Sequence, residues 1–389
     1  MRSAARSRSL GDAHEDRSPV RSFVNAPPDT LLVASVSILV AVGLIMIYSA
    51  SSAVAYSDHL DPAYYFKRQL MWLVVGAAVA FAAYRMDYHV LRKAAPYLLV
   101  ASVLGLGLVL IPHVGIVVNG ARRWIGASSF TLQPSEFAKL GLIVYLAAML
   151  TQRGERITQL TRGLVPLFVP VILLAILVMR EPDMGTASLL VMVAFAMFFA
   201  AGARIPHLLA VVATIAPFGA LLVMKSAYQR ARVLAFLDPW KDPQNTGFHI
   251  VQSLLALGSG GVLGAGLGAS RAKFFYLPEQ YTDFIFSVLG EELGVVGSVT
   301  VVLLFLVFAY RAIRIALTAP DKFGFFLVVG CASMVVIQAF VNIGVVTSSW
   351  PVTGVPLPFI SFGGSSLIVN LVCFALIANV GRFRRVNAR

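Results

Sequence analysis

The chain has 389 residues, of which 58% are hydrophobic and only 13% charged, about half the usual charged quarter. That balance excludes an ordinary soluble domain, which could not hide so much apolar surface. The formal net charge of +13 would suit a nucleic-acid binder, but much of the excess lies in short loops between apolar runs. That is the signature of membrane topology, with no nucleic-acid partner implied.

Residues 1–29 hold five Arg and the pair Pro27–Pro28 and read as a disordered tail. Apolar runs then recur, each long enough to cross about 30 Å of hydrocarbon as a helix. The first starts near Thr30 and is too long for the apolar core of a signal peptide. Spans are expected at about 30–51, 69–84, 97–112, 135–151, 164–179, 186–201, 207–224, 284–310, 323–347 and 365–380. Residues 113–134 read as a Gly-containing loop with Arg122, Arg123 and Trp124. The one long loop, about 225–283, contains an apolar piece, Ile250 to Leu257, too short to cross and expected to be re-entrant or interfacial. Residues 351–364, PVTGVPLPFISFGG, are too rich in Pro and Gly for regular helix. The basic residues 382–389 form a second tail.

The expected fold is therefore an all-α polytopic membrane protein. About ten transmembrane helices fill residues 30–381, with one long extracellular loop. Ten spans place both termini on one side, where Lys and Arg number 19 against 5 in the short loops opposite. The positive-inside rule then puts both termini in the cytoplasm. The two cysteines, Cys331 and Cys373, lie in apolar runs, and no two of the six histidines have zinc-ligand spacing.

Carboxylates within a span cost about 2.5–3.5 kcal/mol each on insertion scales and mark functional sites by default. FFYLPEQYTDFIFSVLGEELGVVG (274–297) sets Glu279 and Asp283 at the mouth of the eighth span and Glu291 and Glu292 two turns inside it. Two roles fit Asp283: an N-cap of the helix, or a base that takes the proton of an acceptor hydroxyl. Lys139 could pair with Glu136 three residues earlier, neutralise Glu291 or Glu292 across the bundle, or meet a phosphate. Arg122 and Arg123 suit phosphate by bidentate geometry or lipid headgroups by position, and Trp124 could stack on sugar or anchor at the interface. Glu181 and Asp183, around Pro182, read as turn chemistry, or as a weak divalent-ion site. GAGLGA (264–269) lacks the preceding strand of a nucleotide site. SFGGSS (361–366) lacks the pattern of a nucleophile elbow, and its glycines would let backbone approach a headgroup or another loop.

Several motifs, in order, point further: ARRWIG (121–126), QPSEFAKL (133–140), EPDMGTA (181–187), FLDPWKDPQNTGFHIVQSLLALGSGG (236–261), LPEQYTDFIFSVLGEELG (277–294) and PVTGVPLPFISFGGSS (351–366). With these the chain resembles the SEDS family of bacterial cell-wall proteins (FtsW, RodA, SpoVE) over nearly all of residues 30–385. SRAKFFYLPE (270–279) is closer to the FtsW/SpoVE branch. Tyr281 stands where the family usually has His. The resemblance implies a peptidoglycan glycosyltransferase in the bacterial cytoplasmic membrane, acting in cell division. Its substrate would be lipid II, the undecaprenyl-pyrophosphate-linked disaccharide-peptide. Its partners would be a cognate class B penicillin-binding protein and other divisome membrane proteins. The family's essential acid falls on Asp283.

The implied reaction is inverting: Asp283 deprotonates the acceptor hydroxyl, which attacks the donor sugar opposite its pyrophosphate. Arg122, Arg123, Trp124, Lys139, Lys273, Glu279, Ser361, Gly363 and Gly364 are the candidate substrate contacts. Glu136, Glu291 and Glu292 are candidate structural charges. Cationic groups or a divalent ion, Mg²⁺ or Mn²⁺, would stabilise the leaving charge, although ligand spacing identifies no metal site. Two rival readings are a lipid II flippase, which buried charges and broken loops also suit, and a non-catalytic divisome scaffold.

Overall fold

With no water to satisfy a backbone inside a bilayer, apolar runs fold as helices. The structure is a computed structural model and describes residues 27–383 apart from 119, 128–129, 226, 272 and 274–276. Residues 1–26 and 384–389, most of the two expected tails, lie outside the described residues. In chain order the helices are α1 (Thr30–His59), α2 (Tyr64–Arg85), α3 (His89–Leu110), α4 (Pro134–Arg153), α5 (Val165–Arg180), α6 (Met184–Ala200), α7 (Ile205–Lys225), α8 (Ala227–Leu237), α9 (Phe248–Ser259), α10 (Ile285–Leu317), α11 (Lys322–Val346) and α12 (Gly364–Arg382). Eight are long and apolar enough to span: α1 to α4, α5 with the π-helical turn before it, and α10 to α12. The shorter apolar helices α6 and α7 occupy the expected sixth and seventh spans.

The core centres on α12, which is buried along nearly its whole length and packs against α2, α4, α10 and α11. At one end of the bundle Asp29 caps α1 through the Leu32 amide and ion-pairs with Arg311 of α10. At the same end Asp321 caps α11 and accepts from the Tyr88 hydroxyl. The opposite end carries the long loop and is called the loop face below.

Three features of that face differ from the expectation. The loop 113–134 contains an antiparallel sheet in the order β1 (Ile116–Val118), β2 (Ala121–Ala127), β3 (Phe130–Leu132). Its β-branched Ile-Val-Val and the Asn-Gly that follows are strand and hairpin signals too short to outweigh the flanking spans. The fold is thus helical with one small sheet. The long loop is itself helical in α8 and α9, and α9 buries Ile250, Val251, Ser253 and Ala256. Ser253 donates to the Val346 carbonyl and shares a hydrogen bond with Ser287, which fixes α9 to α11 and α10.

The third feature is a break in α10. Gly294 has φ 66° and ψ −164°, outside the helical region. A loop threads into the gap. The amides of Ala265 and Gly266 donate to the carbonyls of Glu291 and Glu292 at 2.9 and 3.0 Å. The carbonyls of Gly261 and Val262 accept from the amides of Val295 and Val296 at 3.0 and 3.2 Å. Backbone groups orphaned by the break are satisfied by the inserted loop, the condition for irregular backbone at such depth.

Candidate functional site

Asp283 sits in the turn before α10 on the loop face. It does not cap the helix: the cap residue is Phe284, and no side chain closes that end. Asp183 is the acid that does cap, accepting from the Thr186 amide and hydroxyl, both at 3.0 Å, at the start of α6. No hydrogen bond from a described residue reaches the Asp283 carboxylate, and behind it stands Gly354, where an added Cβ would lie 3.5 Å from Oδ2. Gly354 has φ +75°, so this backbone favours glycine.

Burial raises the Asp283 pKa most, followed by the charge of Glu279. Arg232 opposes, Asp183 raises and Arg123 opposes, for a net rise to about 7. An acid in this condition is a base poised near neutral pH. It is also the pattern that marks functional sites.

The turn that presents Asp283 is built by its neighbours. The Glu279 carbonyl accepts from the amides of Thr282 and Phe284, both at 3.2 Å. Glu279 has φ +53°, and its carboxylate accepts from the Thr282 hydroxyl at 2.8 Å. Asn342 of α11 donates to the Asp283 carbonyl at 2.7 Å and to the Val355 carbonyl at 2.8 Å. The Pro/Gly loop is stitched to the same turn: Ser361 Oγ donates to the Thr282 carbonyl at 2.6 Å, and the Phe362 amide to the Tyr281 carbonyl at 3.0 Å.

The other candidates separate. Alternation along β2 divides Arg122 and Trp124 from Arg123. Arg122 reaches back to the Leu110 carbonyl at 3.4 Å, closing the end of α3. Trp124 is half-buried, in register with Ile116 of β1. Arg123 donates to the carbonyls of Glu181 and Pro182 and lies 3.9 Å from Asp183, so it is the member of the trio that joins the acidic turn. Lys273 is buried and donates to the Gly268 carbonyl within its own loop. Ser361, Gly363 and Gly364 serve packing between loops and helices: the Gly363 amide donates to Gln69, and Gly364 lies where a Cβ would come within 2.5 Å of Trp72.

Lys139 pairs with Glu136 at 2.8 Å and donates to Gln338 at 3.2 Å. Of the three partners open to Lys139, Glu136 is the one it meets, and no bridge to Glu291 or Glu292 is made. Those two carboxylates close the α10 break. Glu292 accepts from the Ser49 hydroxyl at 2.6 Å. Glu291 accepts from the Ser270 hydroxyl at 2.5 Å and the Arg271 amide at 2.8 Å.

Residues the sequence did not single out complete the site. Arg232 of α8 donates to the Val352 carbonyl at 3.3 Å and is the cation that most lowers the Asp283 pKa. His249 of α9 stacks on Phe284 with ring centroids 5.7 Å apart, and burial, then Arg232, hold its pKa below the usual imidazole value. Gln69 and Asn342 are polar residues in apolar helices, a signal that could have found them. Among the described residues no three His, Cys, Asp or Glu side chains converge as a metal-binding set. The expected Mg²⁺ or Mn²⁺ thus has no such ligand set among the described residues.

The fold and this face define a multi-pass membrane protein with buried acids beside cationic residues at one end of the bundle. The FtsW/RodA/SpoVE family, described as cell cycle proteins, matches residues 29–386, and the chain belongs to it. It is 46% identical over 360 residues to stage V sporulation protein E of Bacillus subtilis, covering 92% of this chain and 98% of that one. It is 44% identical over 352 residues to a probable peptidoglycan glycosyltransferase FtsW of Geobacter metallireducens, covering 90% and 94%. Among solved structures it matches a chain of a peptidoglycan synthase complex that coordinates polymerization and crosslinking, with TM-score 0.74, 32% identity, and 91% and 98% coverage. It also matches the rod shape determining protein RodA of Thermus thermophilus, with TM-score 0.68, 30% identity, and 92% and 97% coverage.

Proposed function

We propose that this chain is a peptidoglycan glycosyltransferase that polymerises lipid II at the outer face of the bacterial cytoplasmic membrane, with Asp283 as general base. The observation that carries this reading is the Asp283 carboxylate: recessed, free of hydrogen bonds from described residues, and raised to about 7. The names of its relatives support the activity.

Asp283 takes the proton of the acceptor sugar hydroxyl as that oxygen bonds to C1 of the donor. The bond from C1 to the pyrophosphate breaks, and the electron pair leaves with the lipid pyrophosphate. One carboxylate is enough, because a pyrophosphate departs as an anion and requires charge neutralisation more than a general acid. Arg123 and Arg232 are the cations whose charge reaches the Asp283 site. Both termini lie in the cytoplasm. The similarity to a chain of a synthase complex supports a cognate class B penicillin-binding protein as partner, and the relatives named FtsW support a role in division.

The flippase reading draws less support. The buried charges that suggested a transport path are engaged with partners inside the bundle, Lys139 with Glu136 and Gln338, and Glu291 and Glu292 with Ser270 and Ser49. Asp283→Asn is the test. It keeps size and hydrogen-bonding shape but accepts no proton. The variant should insert, melt within a few degrees of the parent and bind lipid II, yet lose about 10²–10⁴-fold in glycan formed from labelled lipid II on a gel. Substantial polymer from the variant, in a preparation free of other glycosyltransferases, removes Asp283 from the reaction.

A further inference from the structure

The buried stripe of α2 consists of Gln69, Trp72, Gly76 and Ala80, while Leu70, Val74, Val75 and Val79 face outward. Three members of the stripe are apolar, as a helix contact requires. The fourth, Gln69, is an amide only 2% exposed, and burying it costs free energy unless both ends are hydrogen-bonded. Both ends are used, and on one segment: Nε2 donates to the Ser361 carbonyl and Oε1 accepts from the Gly363 amide, each at 3.2 Å. The amide thus brackets Phe362.

The bracketed residues are those that hold the acidic turn. The Phe362 amide donates to the Tyr281 carbonyl, and the Ser361 hydroxyl to the Thr282 carbonyl. Ser361 Oγ also accepts from the Leu357 amide at 2.8 Å, which closes the Pro/Gly loop on itself. From the other side a second buried amide, Asn342 of α11, donates both to the Asp283 carbonyl and to Val355, next to Gly354 behind the carboxylate. Tyr65, one turn before Gln69, adds an aromatic contact to Tyr281 with centroids 4.5 Å apart.

We propose that Gln69 and Asn342 are positioning residues for Asp283, two buried side-chain amides that clamp its turn, Gln69 through the Pro/Gly loop and Asn342 directly. The proposal rests on the glycosyltransferase reading for its effect on rate, but not for its effect on where Asp283 sits. A turn of unpaired loop backbone has several conformations open to it. Gln69, with both ends engaged, and Asn342, whose Nδ2 reaches two carbonyls, narrow that choice, and a misplacement of about 1 Å at a reacting group can cost about 10²-fold. A purely structural role predicts lower stability and normal turnover per folded molecule.

The test uses the full chain in lipid nanodiscs with labelled lipid II, alongside Asp283→Asn. Gln69→Met keeps length and removes both hydrogen bonds. It should lower kcat by about tenfold or more with KM within about twofold, and displace the acid limb of the pH–rate profile. Ser361→Ala deletes one hydroxyl, is the smaller perturbation if Gln69→Met does not fold, and should lower kcat in the same direction. Carbodiimide labelling of Asp283, read by mass spectrometry, should change in rate in both variants. That readout does not need turnover, so it stands even if Asp283→Asn polymerises normally and the glycosyltransferase reading falls. Unchanged kcat and unchanged Asp283 labelling in a folded Gln69→Met or Ser361→Ala variant overturn the clamp.

Discussion

Glu181 is fully buried with neither carboxylate oxygen hydrogen-bonded among the described residues. Burial, then the charge of Asp183, raise its pKa from 4.5 to about 8, with Arg123 opposing. The folded chain therefore holds this proton where the unfolded chain has released it. Stability from Glu181 is complete below pH 4.5 and is lost as pH rises toward about 8. Glu181→Gln cannot ionise, so its apparent melting temperature should fall less than the parent's between those limits and exceed it on the alkaline side. Parallel melting curves across the range would show that Glu181 is already ionised in the fold. Asp283 titrates in the same window with a different consequence, because a base must be unprotonated to act. At this scale the sequence singled out Asp283 as a cap or a base by its place at the mouth of an apolar run, and the family resemblance favoured the base. The role of Gln69 was not legible, because an amide that follows Lys67 and Arg68 at the start of an apolar run gives no hint of which loop it meets. Arg122 and Arg123 are neighbours in sequence, yet strand alternation sends one to the end of α3 and the other to the acidic turn.

At the scale of elements the break in α10 explains a stretch that had no role in the sequence reading. Glycines in the run 264–269 make no nucleotide site; they let a loop enter a helix. Gly264 has φ +84°, and an added Cβ there would lie 2.2 Å from the Glu292 carbonyl oxygen. Gly264→Val would have to push the loop out of the gap and leave carbonyls and amides of α10 without partners. Such overpacking typically costs about 1–3 kcal/mol, and unsatisfied buried groups add to it. The melting temperature should fall well below the parent's, whereas Gly107→Ala in α3, where a Cβ meets nothing within 4 Å, should leave it nearly unchanged. Equal melting for the two variants would mean the loop is not held in the break. The break itself was not legible, since Glu-Leu-Gly inside an apolar run reads as continuous helix. The small sheet escaped for the opposite reason: three-residue strands carry too little periodicity to register.

The whole molecule was the most legible level, because hydropathy and helix length are summed over some twenty residues at a time and survive local error. All ten expected spans have a helix, and the long loop lies between the seventh and eighth as expected. Orientation follows from the charge asymmetry of the loops and is open to direct measurement. If the loop face is outside, Gln244 in the segment between α8 and α9, exposed and clear of the bundle, is accessible from the medium. Gln159, exposed in the connection between α4 and α5, then faces the cytoplasm. Both native cysteines are buried in α11 and α12, so labelling by a bulky reagent reports the introduced thiol. In intact cells Gln244→Cys should react with a membrane-impermeant maleimide and Gln159→Cys should react only after permeabilisation. The site's chemistry depends on the outcome. Asp283 shares its face with Gln244, and a lipid-linked sugar displayed outside the membrane can meet this acid only in that orientation. Labelling of Gln159→Cys but not Gln244→Cys from outside would turn the molecule over and leave Asp283 facing the cytoplasm, away from any wall under construction.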